Sequence, residues 1–539
     1  MSSRLRSYLV VPAMVVVSIA ACSIVAGVVG SRSVSAASPA DDPVSQSMKS
    51  FTAVYDVVEQ NFADKVEADK AIYKGAIPGM LRTLDPHSNF FDPKDYAALR
   101  EDQRGQYYGV GMQVGSRNSH TMVMWPFENS PAYRAGLRPG DIIAQVNDKK
   151  TDGLTTTEIA DLLKGPRGTK VQVTANREGD PKPHVFDIIR DAIPRFTVPE
   201  GIWLKPGIAY LKVTQFGENT SKEFEERLKQ LGETNIKGLV LDLRGNPGGL
   251  LNEGVDVAGH FLRKGDSVVS HRGRAQPNKV YTSRADGNRN QYPVVVVVNR
   301  SSASAAEIVS GALQDHDRAW VLGETTFGKG LVQTVFPLSE NTGLALTTAH
   351  YYTPSGRLIQ RDYSNISFLD YYYHNNLEQK NMADVKMTDS GRTVYGGGGI
   401  TPDEKYEAAK LNKFQISVLR NFGLFNFAAA YFGPKADVRM PKGWEPDEPI
   451  VNQFHEFLIK SKIEFSEADF TANHQWVKEQ LKRELYITAF SFEQSERVVI
   501  EQDPEIAQAV QAIPKAVSLI ENAKKLLVQR VTQQERLAK

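Results

Sequence analysis

The chain has 539 residues and a formal net charge of +1, with 64 lysines and arginines against 63 aspartates and glutamates. This length exceeds what one hydrophobic core supports, so we expect about three or four domains; the balanced charge, without a basic stripe, gives no electrostatic basis for binding nucleic acid. The single cysteine, Cys22, lies near the N-terminus, so the rest of the chain has neither a disulfide nor a thiolate metal site.

The N-terminus carries a basic segment followed by an apolar one. Arg4 and Arg6 precede an apolar run at residues 9–30, which at about 1.5 Å per helical residue is long enough to span a bilayer. Small residues at 34–36 suit signal-peptide cleavage, and residues 19–22 resemble a lipobox, so an uncleaved membrane anchor, a cleaved signal peptide and a lipoprotein remain open. All three predict that the protein works outside the cytoplasm, in the periplasm or cell envelope. An uncleaved run would tether it to the inner membrane with its N-terminus inside.

The segment after the leader is predicted to be a linker followed by helices. Residues 37–47 are small and polar, which favours a linker, and the apolar spacing of residues 48–104 is helical. The helical pattern breaks at the turn 85–88, as its proline requires. His87 in this turn could be catalytic, but a turn histidine beside a proline is more often structural, and we interpret it so.

Residues 105–192 have the pattern of a small β-rich domain. Strands are predicted at 109–112, 122–125, 142–146 and 171–175, with a helix at 155–164 that Thr155 or Thr156 would cap. This ordered set, with the turn at 138–141, resembles a PDZ domain. Its carboxylate-binding loop would be Gly109, Val110, Gly111 and Met112, because backbone N–H groups freed by glycines form an anion nest. An extended peptide could then add as a strand, whereas the alternative for this loop is a plain β-turn.

Strand–loop–helix units follow from residue 207. Strands are predicted at 208–213, 239–243, 294–298, 321–323, 331–336 and 344–351, and helices at 221–231, at 251–262 and from Ser304 onward. Two of these units carry a distinctive loop at the carboxyl end of the strand: one is glycine-rich, at 244–249, and the other is serine-rich, at 299–304. Loops in that position suggest one shared site.

Ser304 and Lys329 are the candidate catalytic pair. Ser304 lies at a turn-to-helix junction, where backbone N–H groups are free to contact the atoms that its hydroxyl attacks. Lys329 lies between two glycines with no acid beside it. An exposed lysine has a pKa of about 10.4, and burial can lower this value by several units, so that the amine becomes a base. Gln333, four positions on, falls on the same face and could orient the amine. The Ala305 amide and the loop 245–249 could bind an oxyanion.

Three rival interpretations of these residues are weaker. A Ser-His-Asp triad would need His316, which lies twelve residues after Ser304 and so about 18 Å along a continuous helix. Ser304 could instead be a helix cap, the commonest role of serine at such a junction. The glycine-rich loop could be a simple turn or a phosphate cradle, but it matches neither common nucleotide-binding pattern.

Six motifs occur in order along residues 48–403, and together they resemble the carboxyl-terminal processing, or tail-specific, serine protease family. The motifs are DPHSNFFDP, LDLRGNPGG, SSASAAEI, GETTFGKGLVQT, YYTPSGRLIQ and GITPDE. The resemblance implies that Ser304 is the nucleophile, Lys329 the general base and Gln333 its orienting partner, with Gly249 and Ala305 forming the oxyanion hole. It implies a serine endopeptidase without a cofactor, acting near the free C-termini of extracytoplasmic proteins.

The implied fold is an α/β, crotonase-like protease core of strand–helix units with an inserted PDZ domain that gates access. The expected division is a leader at 1–36, a linker at 37–47, a helical segment at 48–104, a PDZ domain at 105–192, the protease core at 193–404 and a C-terminal helical region at 405–539.

Two segments depart from the family pattern. Residues 361–398, with three consecutive tyrosines, are longer than the family's usual link and are predicted to be irregular. Residues 405–539 lie outside the minimal family core, and long helices are predicted at 475–490 and 506–536. An apolar stripe at 507–528 could be core or could make the protein a homo-oligomer.

Two non-protease alternatives remain. A non-catalytic PDZ scaffold would bind peptides without cutting them, and a crotonase-type enzyme would act on acyl-CoA. Retention of both Ser304 and Lys329 argues against the first alternative. The predicted location and the lack of a nucleotide-phosphate motif argue against the second.

Overall fold

The computed structural model of the chain describes residues 43–117, 119–275, 277–285, 292–364, 368–373, 381–433, 435 and 438–537. The apolar run at 9–30, the candidate cleavage site and Cys22 lie outside these ranges, so the interpretations of the leader stay predictions. Within the described ranges, every helix is too short or too polar to cross a membrane.

The N-terminal segment is mainly helical, as predicted. Its elements are α1 (Pro43–Asn61), α2 (Ala68–Ala71), a π-helical turn (Ile72–Ala76), α3 (Ile77–Arg82), β1 (Asn89–Phe91) and α4 (Pro93–Arg104). Two details differ from the prediction. Helix α1 includes residues 43–47 of the predicted linker. Residues 89–91 form a strand because they pair antiparallel with a distant strand at residues 343–345.

The β-rich domain follows the predicted order. Its elements are β2 (Gln106–Gly109), β3 (Met112–Arg117), β4 (His120–Pro126), α5 (Pro131–Ala135), β5 (Ile142–Val146), β6 (Lys149–Lys150), α6 (Thr156–Leu163), β7 (Lys170–Asn176), β8 (His184–Ile189) and β9 (Asp191–Pro194). The sheet order is β3-β4-β5-β7-β8, with β6 beside β5, and β2 pairs separately with β9. Thr155 caps α6 in a reciprocal capping box with Glu158.

The α/β core contains two sheets. Its elements are β10 (Ile202–Lys205), β11 (Ile208–Lys212), α7 (Thr220–Gln230), β12 (Gly238–Asp242), α8 (Leu251–Gly259), β13 (Ser267–Arg272), β14 (Lys279–Thr282), β15 (Val294–Val298), α9 (Ala305–Asp315), β16 (Ala319–Gly323), β17 (Leu331–Pro337) and β18 (Gly343–Tyr352). The first sheet has the order β10-β11-β12-β15-β16 and is parallel except for β10. The second is antiparallel and contains β1, β18, β13 and β14, with β17 beside β18. Because β12 and β15 are adjacent and parallel, their carboxyl ends bring the two predicted loops together.

The insertion at residues 361–398 is not irregular, contrary to the prediction. It contains α10 (Phe368–Tyr373) and the hairpin β19 (Asn381–Met387) and β20 (Thr393–Gly396), and β21 (Glu404–Lys405) then joins the edge of the first sheet. Arg392 fastens the hairpin to the core through ion pairs with Asp317 at 2.6 Å and Asp403 at 2.5 Å. These partners are distant in sequence, so local propensity did not reveal the order of this segment.

The C-terminal region forms a helical unit with its own phenylalanine-rich core. Its helices are α11 (Lys413–Arg420), α12 (Gly423–Phe432), α13 (Glu448–Lys460), α14 (Glu467–Ala472), α15 (His474–Ala489), α16 (Phe492–Gln502) and α17 (Pro504–Leu537). The unit packs on the β-rich domain. There the Trp125 ring stacks on Phe492 at a centroid distance of 4.2 Å, and Arg138 donates to the Lys435 carbonyl at 2.8 Å.

Helix α17 lies across the first sheet of the core. Its buried face consists of Ile506, Ala509, Ala512, Ile513 and Ala516, packed on residues of β12, β15 and β16. The stripe predicted at 507–528 is therefore wrong in part, since Ala507 and Val517 are exposed. The sheet is covered mainly by alanines, whose small side chains allow close approach, and this part of the helix is core rather than a surface for self-association.

A cluster of charges ties α17 to the glycine-rich loop. The Arg244 guanidinium pairs with Asp242 at 2.7 Å, with Asp503 at 2.8 Å and with Glu505 at 2.7 Å. Burial raises the pKa of Glu505 to about 7. Arg244 lowers this pKa, and the negative charges of Asp503 and Asp242 raise it further. Three carboxylates thus share one guanidinium, and a proton on Glu505 relieves their repulsion.

This cluster predicts a pH-dependent stability. The pKa of Glu505 is raised on folding, so the folded state holds the proton more tightly than the unfolded chain, and stability falls as the pH rises from the unfolded value toward about 7. Glu505→Gln should remove about 2 kcal/mol of the change in unfolding free energy between about pH 5 and pH 8. Glu501→Gln, at an exposed ion pair with Arg497, is the matched control. Identical pH profiles for wild type and Glu505→Gln in denaturant titrations would contradict this assignment.

Candidate active site

Ser304 lies in a strained turn between a buried strand and a helix. Strand β15 ends at Val298 and α9 begins at Ala305, and Ser304 between them has a φ of 53° and a ψ of −113°. Non-glycine residues rarely adopt this conformation, which costs about 1–3 kcal/mol and is typical of a nucleophile elbow. Ser302 holds the turn, because its hydroxyl donates to the Leu243 carbonyl at 2.8 Å. The chain is thus bent so that one serine is held at the junction.

The carboxylate of Glu307 joins the Ser304 turn to the Lys329 loop. It accepts hydrogen bonds from the Ser304 amide at 2.8 Å and the Lys329 amide at 2.8 Å. The Gly328 amide at 2.7 Å and the Thr326 hydroxyl at 2.5 Å complete the set. Burial raises the pKa of Glu307, while these four donors act in the opposite direction. One side chain therefore fixes the backbone on both sides of the site.

Lys329 is buried and its amine faces an uncharged amide. The side chain is 4% exposed, and Nζ donates to Gln333 Oε1 at 2.9 Å. The Gln333 amide is fixed in turn, since its Nε2 donates to the His87 carbonyl at 2.5 Å. The predicted pairing of Lys329 with Gln333 is present in the structure.

Tyr351 gives a second link between the two loops. Its hydroxyl contacts the carbonyl oxygens of both Ser304, at 3.1 Å, and Lys329. Burial raises the pKa of Tyr351 well above its ordinary value, so the hydroxyl stays protonated. Ser304 and Lys329 thus share two partners, although 25 positions separate them in the sequence.

The glycine-rich loop passes directly against Ser304. Gly248 and Gly249 have φ values of 98° and 139°. A Cβ on Gly248 would lie 2.6 Å from the Ser304 Cβ and 3.0 Å from the Ala305 nitrogen, and one on Gly249 would lie 2.2 Å from the Phe216 carbonyl oxygen. Asn246 Oδ1 accepts from the Gly248 amide at 2.8 Å, so Gly248 is engaged within the loop. Gly248 therefore adjoins Ser304 and Ala305, and Gly249, which was predicted to form the oxyanion hole, is the next residue of the loop.

His316, the histidine of the alternative triad, contacts groups other than Ser304. Helix α9 is continuous to Asp315, as predicted, and His316 lies just beyond its end. The His316 ring contacts Asp389 through Nδ1 at 2.8 Å and the Ser267 carbonyl through Nε2 at 2.7 Å.

The predicted peptide-binding loop precedes an edge strand. Gly109 ends β2, Val110 and Gly111 connect the strands, and Met112 begins β3, which is the edge of its sheet. The Gly111 carbonyl accepts from the Ser130 hydroxyl at 2.6 Å. This loop belongs to a different domain from Ser304, and the free edge of β3 is suited to strand addition by a peptide.

Comparisons with known proteins match three stretches of the chain. A family model described as Peptidase family S41 matches residues 207–365, a PDZ domain model matches 122–177, and one for the activating protease CtpB N-terminal domain matches 22–95. A carboxy-terminal-processing protease of Bartonella bacilliformis is 41% identical over 297 residues, which are 54% of this chain and 68% of that protein. The chain belongs to the carboxy-terminal processing protease family.

Further relatives of this protease are known from sequence and structure. CtpB of Bacillus subtilis is 32% identical over 331 residues, or 61% of this chain and 68% of that protein. The solved photosystem II D1 C-terminal processing protease is 28% identical, covers 66% of this chain and 86% of its own, and superposes with a TM-score of 0.35. The family models and the relatives in sequence confirm the family and the PDZ domain that were predicted from the motifs.

Sequence reasoning missed three residues of the protease site. Glu307 could have been found, because Ser304 and Glu307 have the Ser-x-x-Glu spacing of a capping box. Tyr351 carries no local signal, since its role depends on the pairing of β18 with β17. His87 was interpreted as structural, yet its carbonyl fixes Gln333.

The contact between Gly248 and Ser304 predicts a selective loss of activity. Gly248→Ala should remove peptide hydrolysis, because the added methyl displaces Ser304. Gly245→Ala is the matched control: its φ is also positive, at 72°, but a Cβ there would meet no described atom within 4 Å. The left-handed backbone should cost each variant about 1 kcal/mol of stability, and Gly248→Ala should cost more because its methyl also displaces Ser304. If both variants cleave peptide at the wild-type rate, the loop does not shape the site.

Proposed function

We propose that this protease is a serine endopeptidase in which Ser304 is the nucleophile, Lys329 the general base and Gln333 the residue that orients the lysine amine. The observation that carries the proposal is the shared attachment of Ser304 and Lys329 to Glu307 and Tyr351 in a buried site. Its substrates would be extracytoplasmic proteins, cut near their C-termini.

The first half of the reaction forms an acyl-enzyme. The Ser304 hydroxyl gives its proton to the neutral Lys329 amine, and Oγ attacks the carbonyl carbon of the scissile peptide bond. The amides of Gly249 and Ala305 stabilise the resulting oxyanion. Lys329, now protonated, returns the proton to the leaving amine as the C–N bond breaks. In the second half, water gives a proton to the neutral Lys329 amine and attacks the ester carbonyl. The bond between Oγ and the carbonyl carbon then breaks, Lys329 returns the proton to Oγ, and the acid product leaves.

Burial explains why a lysine can act as the base. Removing an ammonium group from water disfavours its charged form, and the Gln333 oxygen that accepts from Nζ carries no formal charge. The carboxylate of Glu307 is directed at backbone amides and the Thr326 hydroxyl, which engage its charge. The environment thus supports a neutral amine at working pH.

Two features support the finer description of the core and of its substrate. The repeated parallel strand–loop–helix units that carry the site support a crotonase-like core. The loop from Gly109 to Met112, at the edge strand of the PDZ domain, supports capture of a free C-terminal carboxylate. The location outside the cytoplasm rests on the sequence of the leader alone. A non-catalytic scaffold would have no need of the ordered lysine site.

Removing either member of the pair should abolish catalysis. Ser304→Ala and Lys329→Met should each lower kcat/KM for a peptide substrate by about 10³-fold or more, because the nucleophile and the base act as a unit. Ser301→Ala, at an exposed serine of the same turn, should keep full activity. Methionine fills the space of the lysine side chain, so the melting temperature should change little. Hydrolysis by either variant at the wild-type rate would exclude the dyad.

Blocking the substrate's C-terminus should weaken capture without changing the chemistry. Two peptides that differ only in a C-terminal acid or amide should differ in KM by about fivefold to thirtyfold at equal kcat, since a carboxylate receives charge-assisted hydrogen bonds. The measurement is a pair of steady-state kinetic curves with an apolar final residue in both peptides. Equal KM values would mean that the PDZ domain does not select free tails.

A further inference from the structure

An aromatic cluster from the insertion covers one side of the lysine site. Tyr371 and Tyr372 of α10 pack on His87 and on Phe327, the residue two positions before Lys329, and the Tyr371 and His87 rings are 5.4 Å apart. Arg361 lies over the Phe327 and Tyr371 rings at 4.5 and 4.6 Å. Helix α10 lies beyond residues 207–365, which match the S41 family model.

Both ring nitrogens of His87 contact tyrosine hydroxyls of this helix. Nε2 lies 2.9 Å from the Tyr371 hydroxyl oxygen, and Nδ1 lies 3.1 Å from that of Tyr372. His87 is buried, and burial together with the nearby Arg361 charge holds its pKa well below the ordinary value. The ring is therefore neutral, with one nitrogen donating and the other accepting.

The partners of the two tyrosines determine which nitrogen carries the proton. Tyr372 donates its hydroxyl proton to the Pro86 carbonyl at 3.0 Å, so it can only accept from His87 Nδ1–H. Tyr371 accepts from Gln360 Nε2 at 3.2 Å, which leaves its own proton for His87 Nε2. The orientation of the Gln360 amide is fixed, because its Oε1 accepts from the Gly330 amide at 2.9 Å. Every donor then has an acceptor only in the Nδ1–H tautomer.

The main chain of His87 connects this arrangement to the catalytic lysine. Its amide donates to Asp85 Oδ1 at 2.7 Å, and its carbonyl accepts from Gln333 Nε2 at 2.5 Å. Gln333 Oε1 in turn accepts from Lys329 Nζ at 2.9 Å. A shift of the turn that contains His87 would therefore move the group that orients the lysine amine.

We propose that Tyr371 and Tyr372 are positioning residues for the Ser304–Lys329 pair, and that they act by holding His87 as its Nδ1–H tautomer. The inference rests on the proposed function of that pair. It gives the insertion a role: α10 fixes the turn at 85–88, and this turn fixes Gln333 and the lysine. The two tyrosines touch neither the nucleophile nor the base, so their effect passes through His87.

The kinetic test uses substitutions that keep the rings and remove single hydroxyls. Tyr371→Phe and Tyr372→Phe should each lower kcat about tenfold with KM unchanged, because a displaced base slows the chemical step and leaves the PDZ loop intact. Tyr363→Phe is the matched control: its ring packs on Tyr371 at 6.1 Å, but its hydroxyl is not part of the chain of bonds from Gln360 to Pro86. Wild-type kcat in both test variants would overturn the proposal.

A spectroscopic test does not depend on activity. ¹⁵N spectra of the full-length protein labelled at histidine should give His87 as the neutral Nδ1–H tautomer near neutral pH, with the signal assigned by its loss in His87→Asn. Tyr372→Phe should move the population toward the Nε2–H tautomer, since the acceptor for Nδ1–H is gone, whereas Tyr371→Phe should not. An imidazolium or an Nε2–H tautomer in the wild-type protein would overturn the proposal.

Failure of the serine–lysine function and failure of the positioning role would give different results. If the serine–lysine function is wrong, Ser304→Ala keeps its activity whatever tautomer His87 holds. If only the positioning role is wrong, Ser304→Ala is inactive while Tyr371→Phe and Tyr372→Phe retain the wild-type kcat.

Discussion

The site depends on one buried carboxylate. Glu307 accepts hydrogen bonds from two loops that meet only in the folded chain, the turn at Ser304 and the loop before Lys329. Burying a charge is costly unless it is hydrogen-bonded, and here four donors offset part of that cost, although burial still raises the pKa of Glu307. Loss of the carboxylate would leave several backbone amides without a partner at about 1–3 kcal/mol each. The same bonds that stabilise the fold therefore hold the Ser304 turn and the Lys329 loop together.

The parts of the fold that were predictable are those whose signal is local. The strands at 142–146 and 294–298 were predicted to the residue. The second is a fully buried apolar run bounded by Pro293 and Asn299, and the first follows a Pro-Gly-Asp turn. Ser304, Lys329 and Gln333 were found from a strand–turn–helix junction and a glycine-flanked lysine. The two glycines beside Ser304 were expected to be functional, and their positive φ values and close contacts explain why no larger residue fits.

The parts that were missed depend on contacts between distant segments. The insertion was predicted to be irregular, yet Arg361 donates to the Tyr371 carbonyl of its helix and lies over the Phe327 ring of the core, and Arg392 of its hairpin pairs with Asp317 and Asp403. The face of α17 toward the sheet consists of Ile506, Ala509, Ala512, Ile513 and Ala516, and of these only Ile513 belongs to the predicted stripe. His87 is the clearest example. The turn that contains it was predicted, but its carbonyl accepts a hydrogen bond from Gln333, which is 246 positions away in the sequence.

The central claim is that a buried lysine activates Ser304. The most direct measurement is the site and rate of covalent labelling of the full-length protein by a fluorophosphonate, with the modified peptide identified by mass spectrometry. The account predicts an adduct on Ser304 in the wild-type protein and much slower labelling of the same serine in Lys329→Met. Modification of a different residue, or equal labelling rates for Ser304 with and without the lysine, would contradict it.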